Sequence, residues 1–282
     1  LLKKYYRLTK PGIIYGNLIS ATAGFLLASN HHINLWLLLA TLAGTSLVIA
    51  SGCVFNNYLD RNIDKKMART KKRALVLKTI PVINALVFAM VLFIAGFAVL
   101  GLYTNWLVVV IGLVGFVDYV VLYGYSKRHT MHSTLVGTVA GATPILAGYC
   151  AARGHFDSGA VVVFLIMTIW QMAHFYGIAM YRRDDYKKAG IPVLSVVKGM
   201  RAARIQIIFY VVAFILVASL LTVLGYTGYI YLVVVTGVGL VWLAKGFQPS
   251  ETDSLWGRKM FLFSLIVLLT TSFMMSLGTR LP

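Results

Sequence analysis

Several stretches of this chain run for about 20 residues without a charge, and no other feature limits its fold as much. A helix of that length crosses a hydrocarbon core about 30 Å thick. In lipid the backbone must satisfy its own hydrogen bonds. The chain shows none of the strand-and-turn alternation a barrel needs, so helices are expected throughout. Composition agrees: 59% of the residues are hydrophobic and 12% charged, whereas a soluble domain carries about twice that charge. One all-α polytopic bundle over residues 1–282 is therefore expected, rather than soluble domains.

Hydropathy places nine spans near 12–29, 34–59, 80–102, 105–125, 133–152, 159–181, 205–224, 228–245 and 260–278. With the N-terminus on one side, all of the 26 Lys and Arg except Arg153 and Arg280 fall on that same side. The positive-inside rule makes it the cytoplasmic side, in an inner (cytoplasmic) membrane of bacterial type. A count wrong by one helix would scramble this partition. The net charge of +18 is thus mostly topology, with some attraction for anionic lipid or an anionic substrate, and nucleic acid is not an expected partner. The basic start Leu1-Leu2-Lys3-Lys4 runs into a long helix without a small-residue cleavage site, so no cleavable signal peptide is expected.

Two long basic connections, 60–79 and 182–204, each follow an even-numbered span and begin with acidic residues. This pattern suggests two parallel halves, about 12–125 and 133–245, plus a final helix. Cys53 and Cys150 have no metal or redox spacing and fall near opposite faces, so no disulfide is expected. Gly137, Gly141 and Gly148 match small-residue helix packing, and Pro144 is expected to bend its span.

Asn56, Asp60 and Asp64 are spaced by four. Each such step drifts about 40° around a helix and rises about 6 Å, so the three share one slowly turning face. Acidic groups at membrane depth are costly and usually face a cavity. Two carboxylates and an amide oxygen suit Mg²⁺, which completes its shell with water and substrate phosphate. Arg69, Lys71, Lys72 and Arg73 follow, with the charge and forked donors that hold phosphate. The plainer alternative is a solvated helix end before an ordinary basic loop, and spacing alone leaves both open.

Inside span six lies Trp170-Gln171-Met172-Ala173-His174-Phe175, and the span ends in Tyr181-Arg182-Arg183-Asp184-Asp185. At 100° per residue, Gln171, His174, Tyr181 and Asp185 are expected to form one polar stripe ending beside the first motif. A hydrogen-bonded packing histidine is the alternative for His174. Asp118, within span four, either lines a chamber or pairs with a neighbouring helix. His129 and His132 in the basic connection, and His31, His32 and His155 on the other side, read first as solvated.

The string Asn56-Asn57-Tyr58-Leu59-Asp60-Arg61-Asn62-Ile63-Asp64, followed by Met67-Ala68-Arg69-Thr70-Lys71-Lys72-Arg73, resembles the first motif of the UbiA superfamily of intramembrane prenyltransferases. With Trp170–Phe175, Asp185-Tyr186, Ile191-Pro192-Val193-Leu194 and Val197-Lys198-Gly199, the resemblance is strongest to the haem-farnesylating branch, the protohaem IX farnesyltransferases. Two positions depart from the pattern. Asn62 stands where that branch usually has Asp, about 200° around the helix from Asp60. Ala189 stands four residues after Asp185, where members acting on small aromatic acids usually have a second Asp.

The resemblance implies transfer of a farnesyl group from farnesyl diphosphate to haem B, with water addition, giving haem O and diphosphate. It implies Mg²⁺ held by Asn56, Asp60, Asp64 and Asp185, with Asp184 contributing. It implies diphosphate contacts from Arg69, Lys72, Arg73 and Lys198, and haem contacts from His174, Gln171, Tyr181 and His132. A respiratory-oxidase assembly or haem A synthesis partner would receive the product. The competing readings are a prenyltransferase acting on a quinone precursor, a transporter, and a non-catalytic oxidase assembly factor. Against a transporter, both acidic clusters fall on one face, with no polar path to the other.

Overall fold

The computed structural model describes Leu2–Ser29 and His32–Gly278; Arg280 and His31 lie outside the described residues. Among the described residues the fold is all-α. A short α1 (Leu2–Leu8) precedes α2 (Pro11–Ala28), α3 (Leu35–Asp64), α4 (Val82–Tyr103) and α5 (Trp106–Val117). A π-helical turn at Asp118–Leu122 joins α5 to α6 (Tyr123–His129). Then come α7 (Ser133–Arg153), α8 (Ser158–Tyr181), the short α9 (Arg183–Ala189) and α10 (Leu194–Val197), and finally α11 (Gly199–Val223), α12 (Tyr229–Phe247) and α13 (Asp253–Leu277). Counting α5 to α6 as one, nine of the described helices are long and apolar enough to cross a membrane, in the expected order, and the protein is an integral membrane protein.

The helices overrun their apolar cores. α3 continues to Asp64, and α11 and α13 begin well before the expected membrane entry. Backbone hydrogen bonding does not stop at the hydrocarbon boundary, whereas hydropathy does. Side-chain caps set several starts: Asn34, Asn105 and Asp157 accept from the backbone N–H three residues on, at the ends of α3, α5 and α8 away from the basic connections. Thr252 does the same for α13.

α7 and α8 form the centre. α7 touches α2, α3, α5, α6 and α8, while α8 also packs on α11 and α13. Close approach to so many neighbours requires small residues. A Cβ on Gly148 would collide with the Ala21 carbonyl of α2, and one on Gly141 with the Gln171 amide of α8. Pro144 sits within α7, which stays helical on both sides. Asp118 on the π turn is buried, and its Oδ2 accepts the Ala140 N–H of α7 at 3.0 Å. Of its two readings, pairing with a neighbouring helix is the one formed. The peripheral α4, α11 and α12 present large apolar side chains outward, as lipid-facing helices do. Cys53 and Cys150 are buried and free.

The basic connections meet on the N-terminal face. Met67, just past α3, packs with Ala179 near the end of α8, Ala189 at the end of α9, and Ile191 and Val193 in the loop beyond it. This apolar cluster joins the two acidic segments into one rim.

Candidate active site at the basic face

α3 is uninterrupted for 30 residues, so the Asn56–Asp60–Asp64 ladder is a true helical face. That face points inward: the three residues are only 3%, 7% and 1% exposed. Buried charge needs partners, and each of the three side chains has a cationic one. Lys10 Nζ donates to Asn56 Oδ1 at 2.8 Å. Lys127 of α6 donates to Asp60 Oδ2, and Arg128 Nη2 reaches Asp60 Oδ1 at 3.4 Å. Arg73 Nη1 donates to Asp64 Oδ2 at 2.6 Å. Next to the ladder, Asn57 Nδ2 donates to the Leu8 carbonyl at 2.8 Å and ties α1 to α3.

Lys10 is placed by an unusual backbone. It lies at φ 52°, ψ 64°, the left-handed region, immediately before Pro11 opens α2. A non-glycine residue there is strained, and the turn directs its side chain to Asn56. Burial, more than any neighbouring charge, lowers the Lys10 ammonium to about 8. Lys127 also lies over the Tyr123 ring, 5.2 Å from its centroid.

The second expected constellation is only partly assembled. The polar stripe from Gln171 to Asp185 does not form. α8 ends at Tyr181, Arg182 leaves helical geometry at φ −109° and ψ 23°, and Asp184 and Asp185 ride on the separate α9. Helical phase cannot be carried across that break. Within α8 the expected members also diverge. Gln171 Nε2 donates to the Thr138 and Met167 carbonyls at 3.3 and 3.1 Å, on the α7 side. His174 Nδ1 pairs with Ser264 Oγ of α13 at 2.7 Å, its ring stacked on Trp170 and beside Phe261. Trp170 Nε1 donates to the Ser264 carbonyl at 2.8 Å. Tyr181 accepts from Ser254 and lies under Arg182 and Arg258. Trp170, His174 and Tyr181 therefore belong to the seam with α13.

Asp184 is exposed and Asp185 half-buried. Among the described residues no three His, Cys, Asp or Glu side chains converge on one point, so the acids of α9 do not close a ligand set with Asp60 and Asp64 in this conformation. They do share its rim. Tyr186, next to Asp185, packs against the same apolar cluster as Met67, and burial pushes its phenol up. Arg69, Lys72 and Lys198 are exposed at the face, as are His132 and Asn62.

The residues fit a divalent cation. The ladder offers hard oxygens from three side chains on one helix face, each of them held by a cation at present. Sequence reasoning missed Lys10, Lys127 and Arg128 because it counted them only as topology charges. The faint signal was spacing: Tyr119, Tyr123 and Lys127 also advance by four.

Comparison with known proteins gives the family of the chain. The model of the UbiA prenyltransferase family matches residues 17–265. The chain is 50% identical over 280 residues to the protoheme IX farnesyltransferase of Serratia proteamaculans, covering 98% of this chain and 95% of that one. It is 49% identical over 280 residues to the enzyme of the same name from Edwardsiella ictaluri, with the same coverage. Among solved structures, a digeranylgeranylglyceryl phosphate synthase matches with TM-score 0.81 at 21% identity, covering 98% of each chain. A UbiA homologue from Archaeoglobus fulgidus bound to GPP and Mg²⁺ matches with TM-score 0.75 at 15% identity, covering 97% of this chain and 99% of that one.

Proposed function

Since the chain belongs to the UbiA prenyltransferase family and is a prenyltransferase, we propose that it moves the farnesyl group of farnesyl diphosphate to a vinyl group of haem B, giving haem O and diphosphate. The basic face would be cytoplasmic, a reading that the distribution of Lys and Arg supports. The observation that carries the diphosphate chemistry is the buried ladder Asn56, Asp60 and Asp64 surrounded by cations. The acceptor rests on the name shared by relatives about half identical over nearly the whole chain.

The ladder would hold Mg²⁺, which when bound neutralises charge on the leaving diphosphate. Arg69, Lys72, Arg73 and Lys198 would draw the diphosphate to the rim and hold its oxygens. Asp185, with Asp184 behind it, would complete the set from the neighbouring wall once α9 moves inward. Loss of diphosphate leaves an allylic cation, and the apolar interior keeps bulk water from it. The electron-rich vinyl group attacks C1 of the farnesyl chain. A single water then captures the cation formed beside the porphyrin ring and releases a proton. The chain's work is charge stabilisation and positioning. His174 has Nδ1 engaged by Ser264 and no protein partner on Nε2 among the described residues, so Nε2 is the atom that would meet haem. Gln171, Tyr181 and His132 would contribute only peripheral contacts.

Membranes incubated with haem B, farnesyl diphosphate and Mg²⁺ should produce haem O, separable by chromatography. Asp60→Asn should reduce the rate by about 100-fold or more. Consumption of a hydroxybenzoate instead of haem B would replace this acceptor with a quinone precursor. Unchanged haem O formation by Asp60→Asn would remove the metal site from the mechanism.

A further inference from the structure

Lys10, Lys127 and Arg73 come from three separate parts of the chain: the turn before α2, the end of α6 and the loop after α3. Each ends on a different rung of one ladder. Each is also built into place. Lys10 is directed by a left-handed backbone before Pro11. Lys127 has a side chain only 8% exposed and rests between Asp60 and the Tyr123 ring. Arg73 is brought round by a loop that also bonds Thr70 Oγ1 to the Asp64 carbonyl at 3.0 Å. With Arg128, four cations face two carboxylates.

We propose that Lys10, Lys127 and Arg73 are resident counter-ions of the metal site, displaced from Asn56, Asp60 and Asp64 when a divalent cation and a diphosphate enter together. This rests on the reading of the ladder as a metal site. A divalent ion entering alone would add charge to a mouth where cations already outnumber carboxylates, and it would have to break bonds it does not replace. A diphosphate supplies the missing negative charge. It also gives the three displaced side chains, each long and donor-rich, new acceptors a short swing away. Metal and diphosphate are then positively coupled, and by linkage each raises the affinity for the other by the same factor. The site stays closed to stray divalent ions until substrate is present.

The test measures binding of Mn²⁺, as a probe for the metal, to purified protein by equilibrium dialysis. Free Mn²⁺ is matched with and without inorganic pyrophosphate. Wild type should bind Mn²⁺ weakly alone and about 10-fold or more tightly with pyrophosphate. Lys127→Gln should bind Mn²⁺ alone about 10-fold more tightly than wild type and lose most of the pyrophosphate enhancement. Lys10→Gln, which strands no carboxylate and so is the safer variant to fold, should shift the same way. Lys66→Gln, an exposed cation outside the ladder, should leave both affinities as in wild type.

Tight Mn²⁺ binding by wild type without pyrophosphate, abolished by Asp60→Asn but unmoved by Lys10→Gln and Lys127→Gln, overturns the exchange while leaving the metal site intact. Mn²⁺ binding absent in both conditions, or indifferent to Asp60→Asn, overturns the site reading and the exchange with it.

Discussion

Arg73 reaches back nine residues to Asp64, with Nη1 2.6 Å from Oδ2, and so folds the basic loop over the end of α3. The carboxylate is almost fully buried and the guanidinium about three-quarters so. Removing one member alone strands the other. Arg73→Gln should destabilise the protein by about 1–3 kcal/mol, less than for a fully buried pair because water reaches the arginine. The double variant Arg73→Gln/Asp64→Asn should recover most of that loss. Thermal unfolding of the purified protein checks both, and additive losses would mean that the pair is not coupled.

Gly148 marks where α7 and α2 touch backbone to backbone. Gly148→Ala sets a methyl group against the Ala21 carbonyl, and neither helix can yield locally. A loss of about 1–3 kcal/mol is expected, as for overpacking elsewhere. It should appear as a lower midpoint in a heat-aggregation assay. Gly12→Ala, with nothing near the added atom, is the control and should stay within about 0.5 kcal/mol of wild type.

The His174 ring is held by Trp170, Phe261 and Ser264. With haem added, His174→Ala should alter the Soret band, whereas Ser264→Ala should change it less, because it frees the ring without removing it. Ser264→Ala should cost about 1 kcal/mol for the hydrogen bond lost. An identical Soret band in His174→Ala would assign His174 to the α8–α13 seam alone.

Asp157 caps α8 on the opposite face and accepts from the Tyr149 hydroxyl at 3.1 Å and Arg153 Nε at 3.2 Å. Partial burial raises its carboxyl, but the Ala160 N–H, Tyr149 and Arg153 outweigh burial and hold it below the usual carboxylate range. A depressed folded value means that the stabilisation is present above the ordinary value of about 4 and is lost as pH falls through the folded value. Wild type should therefore exceed Asp157→Ala by about 1 kcal/mol near neutrality. The gap should narrow below about pH 4, as followed by thermal midpoints across a pH series.

The nine spans were legible because lipid imposes one requirement on every segment, and hydropathy reports it directly. The ladder was legible because α3 has no break between Asn56 and Asp64, so periodicity alone gave the shared face. The His174-to-Asp185 stripe was not, for two physical reasons. Arg182 ends α8, which no residue pattern at Tyr181-Arg182-Arg183 announced. A common face also does not name its neighbour, and α13 took this one, binding Trp170 and His174 through Ser264, a residue 90 positions from His174, and Tyr181 through Ser254 and Arg258. Lys10 and Lys127 were hidden for a related reason. A lysine at a helix end counts equally toward topology whether it reaches into headgroups or turns inward onto a carboxylate.

The break at Arg182 gives the two acidic motifs different mechanical characters. Asp60 and Asp64 stand on a continuous rod of 30 residues. Asp185 stands on a seven-residue helix beyond a break, tethered by Arg183 Nε to the Ser195 carbonyl and by Ser195 Oγ to the Ala179 carbonyl. On the proposed metal site, Asp60 and Asp64 would be the fixed jaw that sets where a clamp closes, and Asp185, beyond the break, the jaw that takes up any adjustment.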